Sequence, residues 1–438
     1  MSKKEIVVVG GGLAGCEAAF HIAERGLSVR LYEMRPVTMT PAHNTGNLAE
    51  LVCSSSLKSV SPMTAHGLLK EEMRALRSII LECADKAAVP GGEALCVDRE
   101  RFSELVTDAI EHHANIEIIR EEISEIPSDR PCVICTGPLT SPSLAESIRS
   151  LTGAQHLHFF DAIAPSVDAE SIDYDKVFRQ SRYDKGEAAY INCPMTGEEY
   201  EAFVDVLVAA KTAHLHLDEE KDARYFEGCL PVEVIARRGR DTLAFGTMKP
   251  VGLTDPHTGR RPHAVVQLRQ ENADGTIYGL VGFQTQLRPS EQDHVFKMIP
   301  GLEHAEFVRY GAVHRNTYIN SPNLLTPALH TKSDSSLFFA GQLVGVEGYM
   351  ESASSGIIAG INVARVALGE SPVIPPRETI IGALLDYVAN CPIDDFQPMN
   401  SNFGILPPIT EKHHKRDRKQ LKVDKARTAM QAFLADLG

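Results

Sequence analysis

No stretch of this 438-residue chain is an unbroken apolar run of the ~18 to 20 residues that a membrane-spanning helix needs. The opening MSKKEIVVVGGG reads as the start of a strand rather than as a secretory leader. Tryptophan is absent, and positive charge is in deficit: 44 Lys and Arg stand against 58 Asp and Glu, a net charge of −14. That deficit argues against indiscriminate nucleic-acid binding while leaving room for a local basic face. Repeats and low-complexity tracts are lacking. So is any spacing of histidine with cysteine or carboxylate that would hold a metal, and no metal is expected. These absences predict a cytoplasmic protein without a membrane segment, whose nine cysteines stay thiols. The length is too great for one ordinary core, so two domains, or one domain with a large insertion, are expected.

The chain opens with EIVVVGGGLAGCEAAFHIAERGLSVRLYE: a β-branched strand, a glycine turn, an alanine-rich helix closed by Gly26, and a second strand. Gly10, Gly12 and Gly15 form G-x-G-x-x-G in that turn, and Glu33 ends the next strand eighteen residues after Gly15. Gly10 permits the tight turn, Gly12 lets backbone amides approach a pyrophosphate, and Gly15 brings helix against strand. The helix N-terminus supplies partial positive charge and Glu33 accepts ribose hydroxyls. Gly10, Gly11, Gly12, Leu13, Ala14, Gly15 and Glu33 are therefore the first candidate cofactor contacts.

Two later segments choose between dinucleotides. CVICTGPLTS (132–141) reads as a buried strand ending in a glycine turn, which adds Thr136 and Gly137. SLFFAGQLVGVEGYMESASSGIIAGINVARVAL (336–368) is again strand, glycine turn and small-residue helix, which adds Gly341, Gln342 and Gly345. A late return of this kind favours FAD over a resident NAD, and no second G-x-G-x-x-G offers a dedicated nicotinamide module. Between about 186 and 308 the texture changes to a helix (198–210) and Gly/Pro-broken strands with an ADGT hairpin signal. The predicted fold class is thus α/β: a Rossmann-type FAD-binding domain (1–185 and 309–438) interrupted by a smaller α+β insertion (186–308).

Two thiols stand out. Cys53, in NLAELVCSSSLKS, sits among small polar residues with Lys58 nearby, just ahead of what the spacing of Leu68, Leu69, Met73, Leu76, Ile79 and Ile80 predicts to be one long amphipathic helix from Pro62 to about Ala88. Cys229 lies in a turn, EGCLP, upstream of Arg237, Arg238 and Arg240. Cys132 and Cys135 form C-x-x-C, but residues three apart on a strand face opposite sides. They read as core, like Cys16, Cys83 and Cys96. The tail, with Lys415, Arg416, Arg418, Lys419, Lys422, Lys425 and Arg427, is either a solvated helix end or a basic face.

The strings VVVGGGLAGCEAA, NLAELVCSSSLKS, YFEGCLPVEVIARRG, TMKPVGL, FAGQLVGVEGYMESASSG and QPMNSNFGILPP resemble the folate- and FAD-dependent tRNA (uracil-5-)-methyltransferase family, TrmFO, from about residue 5 to 408. The first glycine turn and the FAGQ…G-x-EGY turn are similar in kind to the longer GidA-type flavoproteins. The resemblance implies a methylenetetrahydrofolate--tRNA-(uracil-5-)-methyltransferase that oxidises NAD(P)H. A one-carbon unit passes from 5,10-methylenetetrahydrofolate to C5 of uridine 54 in the T loop of tRNA, with FAD, reduced by NADH or NADPH, supplying electrons. It also implies that Cys53 and Cys229 share covalent addition and acid–base work in an order left open.

Uracil C5 becomes nucleophilic only after something adds at C6, and a thiolate is the usual agent. For the folate the expected residues are Gln342, Tyr349, Glu351 and His314, with Asn316 and Tyr318. For RNA they are Arg237, Arg238, Arg240, Lys415, Arg416, Arg418 and Lys419, with Arg260 and Arg261. The same chemistry on ribosomal RNA, a GidA-like wobble-uridine enzyme and a non-catalytic FAD-stabilised RNA-binding protein stay open as alternatives at this stage.

Overall fold

In the computed structural model, which describes residues 5–152, 157–184, 187–213, 230–414 and 416–437, the first βαβ unit becomes the middle of a five-stranded sheet. Its strand order is Leu337–Phe339, Cys132–Ile134, Glu5–Val9, Ser28–Tyr32, Ile116–Ile119, and every pair is parallel. Apart from the exposed Glu5, the strands Glu5–Val9, Cys132–Ile134 and Leu337–Phe339 are short apolar runs buried on both faces, as the covered strands of a parallel sheet must be, while Ser28–Tyr32 and Ile116–Ile119 are only partly buried. Against the sheet lies the Leu13–Ala23 helix, and on it the Tyr349–Leu368 helix. Small residues set their spacing: a Cβ built on Gly356 would lie 2.2 Å from the Ala14 carbonyl oxygen, and one on Gly360 2.7 Å from Ala18 Cα. The late helix is thereby pressed onto the first helix, and both start at the same edge of the sheet.

A second sheet of six antiparallel strands has the order Phe178–Arg179, Tyr190–Met195, Ala264–Gln270, Ile277–Leu280, Ser166–Asp168, Phe307–Arg309. It has its own core, made from residues between Val167 and Ala305. The parallel-sheet core draws on residues up to Ile148 and from Ile319 onward. The chain passes between the two units along a ribbon of Leu157–Ala162 paired antiparallel with Val313–Tyr318. The antiparallel unit begins by Ser166, upstream of the expected residue 186. Its first strand is three residues long and carries too few alternations to show a period.

The expected long helix over 62–88 is two helices, Ala65–Ala75 and Ile79–Lys86. Arg77 takes a left-handed φ of +65°, and Ser78 starts the second helix by accepting the Leu81 N–H. The apolar spacing runs through the break because both helices bury the same side. Gly197–Ala209 forms as expected, with Thr196 and Glu199 in a reciprocal capping box.

Glu72, on the first of these helices, is fully buried and accepts the Ile380 and Ile381 N–H groups at 2.8 and 2.9 Å, closing the N-terminus of the Ile380–Asn390 helix. Burial pushes its carboxyl up to about 8, against the opposing pull of those amides. The folded state then holds a proton that the unfolded chain has released above the ordinary carboxylate range. This contribution is full at low pH and is lost as pH rises towards 8. Glu72→Gln is expected to flatten the fall of stability between pH 5 and 8 by up to one proton, about 1.4 kcal/mol per pH unit. Urea midpoints of both proteins across that range test it, and unchanged pH dependence would show that Glu72 is ionised throughout.

The C-terminal Arg418–Leu437 helix buries Val423, Ala426, Met430 and Phe433. Lys422 donates to the Phe403 carbonyl at 2.5 Å, Lys425 pairs with Glu411 and Arg427 with Glu71. Part of the basic tail is therefore structural, while Arg416, Arg418 and Lys419 are exposed.

Candidate active site

The glycine turn divides its labour. Gly10 has φ +102°, and a Cβ there would lie 2.6 Å from the Cys135 carbonyl oxygen; one on Gly15 would lie 1.7 Å from that of Gly10. Both positions serve packing of the strand, turn and helix. Gly12 differs, because a Cβ there would meet nothing within 4 Å: it faces the open cleft. Gly12 also caps the Leu13–Ala23 helix without any side-chain hydrogen bond, so the first-turn amides are left for an anion.

At the end of the next strand Glu33 is buried, and its Oε1 accepts the backbone N–H and Nε of Arg35 at 3.0 and 2.9 Å. Its Oε2 accepts the Gly11 N–H at 2.9 Å. Burial alone would raise this carboxyl, but the hydrogen bonds and charge of Arg35 hold it below the usual range. A carboxylate offers about four acceptor positions. With three used here, one remains on the cleft side for a ribose hydroxyl.

Thr136 and Gly137 (φ +68°) line the same cleft, as do Gly341 and Gln342 from the late return. Gly341 takes φ +81° and donates its N–H to Ser355 at 2.8 Å. Gly345 has a different reason for being glycine: a Cβ there would lie 2.6 Å from the ring of Phe396, and it lines neither cleft. The uncapped helix start, the open Gly12 and the residual acceptor of Glu33 together fit a dinucleotide with a pyrophosphate and a ribose, as FAD has.

A second cleft adjoins the first, the two sharing Val52, Pro138, Leu139, Gln342 and Tyr349. Its empty space amounts to about 1730 Å³ with open solvent included. Cys53 sits on its wall, half-buried. The Tyr349 hydroxyl accepts the Cys53 N–H at 2.7 Å and the Ser54 N–H at 3.2 Å, so this tyrosine holds the thiol loop. Burial, with the nearby Cys53, raises the phenol well above its ordinary value and keeps it neutral.

Deeper in the same cleft Glu351 is 1% exposed. Its Oε1 accepts the N–H and Oγ–H of Ser401 at 3.0 and 2.6 Å and lies 3.3 Å from His66 Nδ1 and 3.9 Å from Lys58 Nζ. Burial works against its charge, yet Lys58, His66 and Ser401 outweigh it and hold the carboxyl well below the usual range. Lys70, one turn beyond His66, is fully buried and donates to the Ser59 and His66 carbonyls at 3.1 and 3.2 Å. Burial lowers its ammonium to about 8, though Glu351 opposes the shift.

The far wall comes from the antiparallel domain. Arg269 Nη2 donates to Ser54 Oγ at 2.8 Å, and Arg309 Nη1 reaches the Val52 carbonyl at 3.5 Å. Glu271, 5% exposed, accepts Arg99 Nη2 at 2.8 Å and Ser166 Oγ at 2.7 Å and lies 3.5 Å from Arg309 Nη2.

The structure thus gathers Cys53, Gln342, Tyr349 and Glu351 around one cleft, with Asn316 on its lining. Lys58, near Cys53 in the sequence, stands by Glu351. The helix that follows Cys53 starts only at Ala65, after the Ser56–Ser59 strand. Tyr318 packs against Phe396, ring centroids 6.0 Å apart, and belongs to a small apolar cluster. Cys229, Lys415 and the side chain of His314 lie outside the described residues.

Arg237 donates to the Val208 carbonyl and Arg240 pairs with Asp205; both, with Arg238, are exposed, as are Arg260 and Arg261. His66, Lys70, Arg269, Arg309 and Glu271 escaped the sequence reading. His66 and Lys70 carried a faint signal, four residues apart on one helix; the others carried none.

The model of the glucose inhibited division protein A family matches residues 5–371. The methylenetetrahydrofolate--tRNA-(uracil-5-)-methyltransferase TrmFO of Heliobacterium modesticaldum is 55% identical over 432 residues, 98% of each chain. That of Halalkalibacterium halodurans is 53% identical over 435 residues, 99% of each chain. This chain belongs to the TrmFO family. Among solved structures, Aquifex aeolicus GidA superposes with a TM-score of 0.68 at 17% identity, over 98% of this chain and 73% of that one. TrmFO and GidA thus share a fold, and the FAD-binding α/β architecture expected from the sequence is the one observed. Among the described residues no helix is long and apolar enough to cross a membrane.

Proposed function

We propose that the protein transfers a one-carbon unit from 5,10-methylenetetrahydrofolate to C5 of a uracil in tRNA, at position 54 of the T loop, in the cytoplasm. FAD supplies the electrons that reduce the transferred carbon to a methyl group, and NADH or NADPH replenishes them. One observation carries the reading: Cys53 stands on the wall of a cleft that opens directly onto the dinucleotide cleft. A wobble-uridine role is disfavoured because relatives 53 to 55% identical over 98 to 99% of this chain carry the tRNA (uracil-5-)-methyltransferase name.

The chain's own residues have separable tasks. Gly12 and the helix behind it receive the pyrophosphate, and Glu33 a ribose hydroxyl. Cys53 and Cys229 divide the thiol work: one adds to uracil C6, so that C5 becomes the nucleophile, and the other serves the acid–base step. Tyr349 holds the backbone of Cys53 rather than stacking freely as a folate platform. Glu351, kept ionised by Lys58 and His66, offers a fixed negative charge at the floor of the cleft, where the amino-group side of a pteridine is recognised. Gln342, on the lining of both clefts, spans the junction where pteridine and cofactor meet. The exposed Arg237, Arg238, Arg240, Arg416, Arg418 and Lys419 meet RNA phosphates.

Unmodified tRNA transcript incubated with the protein, NAD(P)H and methylene-labelled 5,10-methylenetetrahydrofolate is expected to yield label in 5-methyluridine by mass analysis of nucleosides. Label confined to ribosomal RNA in a parallel incubation would move the target, and no label with a reducible flavin would end the methylation reading.

A further inference from the structure

Thr242–Phe245 is a single helical turn of the antiparallel domain whose side chains go two ways. Leu243, Ala244 and, just beyond, Met248 belong to that domain's core, whereas Phe245 is 84% exposed, more than any other large apolar side chain among the described residues. The backbone that carries it is fixed. The phenol of the buried Tyr200 donates to the Arg240 carbonyl at 2.7 Å and accepts the Ala244 N–H at 3.2 Å, and the Met248 N–H donates to the Leu243 carbonyl at 2.8 Å.

A single apolar side chain on a surface is ordinary. The setting of this one is not. From Arg237 to Lys249 the chain carries four cationic side chains, all exposed, against one acid, Asp241, in a protein whose net charge is −14. Arg240 is paired with Asp205. The same segment runs along the rim of the second cleft: the Val232 N–H donates to the Gln284 carbonyl at 2.7 Å, and a Cβ on Gly282 would lie 2.5 Å from the Thr247 methyl carbon. Gln284 and Gly282 both line that cleft, and Phe245 is two residues from Thr247.

We propose that Phe245 is a stacking platform for an unpaired base of the RNA substrate, a loop base beside the uridine that enters the cleft, with Arg237, Arg238 and Lys249 on the adjoining phosphates. This rests on RNA being the substrate. A single strand offers both complements at once, phosphate charge for the cations and a π-face for the ring. A uridine drawn out of its loop also leaves the neighbouring base without its stacking partner. A second copy of the chain fits poorly, because a two-fold contact would set the four cations against four more, and one ring supplies little of the area that a stable interface buries.

Phe245→Ala is expected to weaken binding of unmodified tRNA transcript on the order of tenfold, with the slope of log affinity against log salt, the urea midpoint and FAD content unchanged. Phe245→Tyr should keep the affinity and Phe245→Leu should lose it, since leucine is apolar but has no ring face. The paired change Arg237→Gln with Arg238→Gln should behave oppositely and give a shallower salt slope.

Because the chain has no tryptophan, Phe245→Trp introduces a single indole at this position. Its emission should be quenched saturably by the tRNA transcript, and not by a fully paired RNA duplex of equal length and absorbance. If wild-type protein retains tRNA on a gel shift while Phe245→Ala binds equally well, Phe245→Leu restores affinity, or the indole is unmoved, the stacking proposal falls and the RNA reading stands. If the wild type retains no RNA, both fall together. A shift from dimer to monomer in the RNA-free protein on Phe245→Ala, read by sedimentation, would overturn the proposal by placing a second copy on the ring.

Discussion

Cys53→Ala is expected to abolish 5-methyluridine formation, by ~10⁴-fold or more, while leaving FAD bound and reducible by NAD(P)H. The size of the effect follows from the chemistry of the target. C5 of uracil has little nucleophilicity until a thiolate adds at C6, placing an enolate's electron pair on C5. After C5 has taken the one-carbon unit it gives up its proton, and the C6–S bond breaks to restore the ring and the thiolate. No described neighbour of Cys53 offers a substitute: Ser54 is tied to Arg269, and the Tyr349 phenol is held neutral by burial.

The flavin cleft touches this site only through shared lining residues, so its reduction is measurable independently by bleaching of the visible flavin band. Cys229→Ala supplies the complement. If it accumulates an RNA–protein adduct that Cys53→Ala does not form, Cys53 is the nucleophile and Cys229 serves the later proton transfer. Full methylation by the Cys53 variant would remove the thiol mechanism from this site.

The second large effect separates two glycines three residues apart. Gly15→Ala puts a methyl group 1.7 Å from the Gly10 carbonyl oxygen, where backbone meets backbone and neither side chain can yield. A loss of about 3 kcal/mol or more in stability is expected, with poor recovery of folded protein. Gly12→Ala meets nothing within 4 Å, and its φ of −78° is ordinary for any residue. It should fold with unchanged urea midpoint, yet bind FAD on the order of a hundredfold more weakly, because the added methyl stands where backbone amides must approach the pyrophosphate. Flavin titration of the apo-protein together with urea denaturation distinguishes the two. Wild-type FAD affinity in Gly12→Ala would mean that the pyrophosphate does not sit at this turn.

The parts legible in the sequence share one property: the residues that define them are close together in the chain. The G-x-G-x-x-G turn, the acid at Glu33 and the strand, turn and helix over 336–368 announce themselves within a few tens of residues, where apolar period and glycine placement carry the information. Even there a local pattern misled when two structures satisfied it equally. The apolar spacing over 62–88 is continuous, but Arg77 and Ser78 break the helix, and Glu17 receives the Ile79 and Ile80 amides that the break exposes. Gly345 shows the same limit, since a glycine in a cofactor-like turn answers here to the ring of Phe396.

By itself the sequence determined the cofactor-binding unit, the presence of an interrupting α+β domain and, through its motifs, the family, and it singled out the loop that carries Cys53. Tertiary structure alone decided how that loop is held and what surrounds it. Tyr349 is 296 positions from Cys53, Arg269 is 215 from Ser54, and Arg309 is 257 from Val52. Such contacts leave no period or spacing in the chain, because an arginine of one domain reads the same whether it faces water or hydrogen-bonds the segment that carries Cys53. Only the docking of two separately folded cores brings those donors to residues 52–54, and so decides which polar groups surround Cys53.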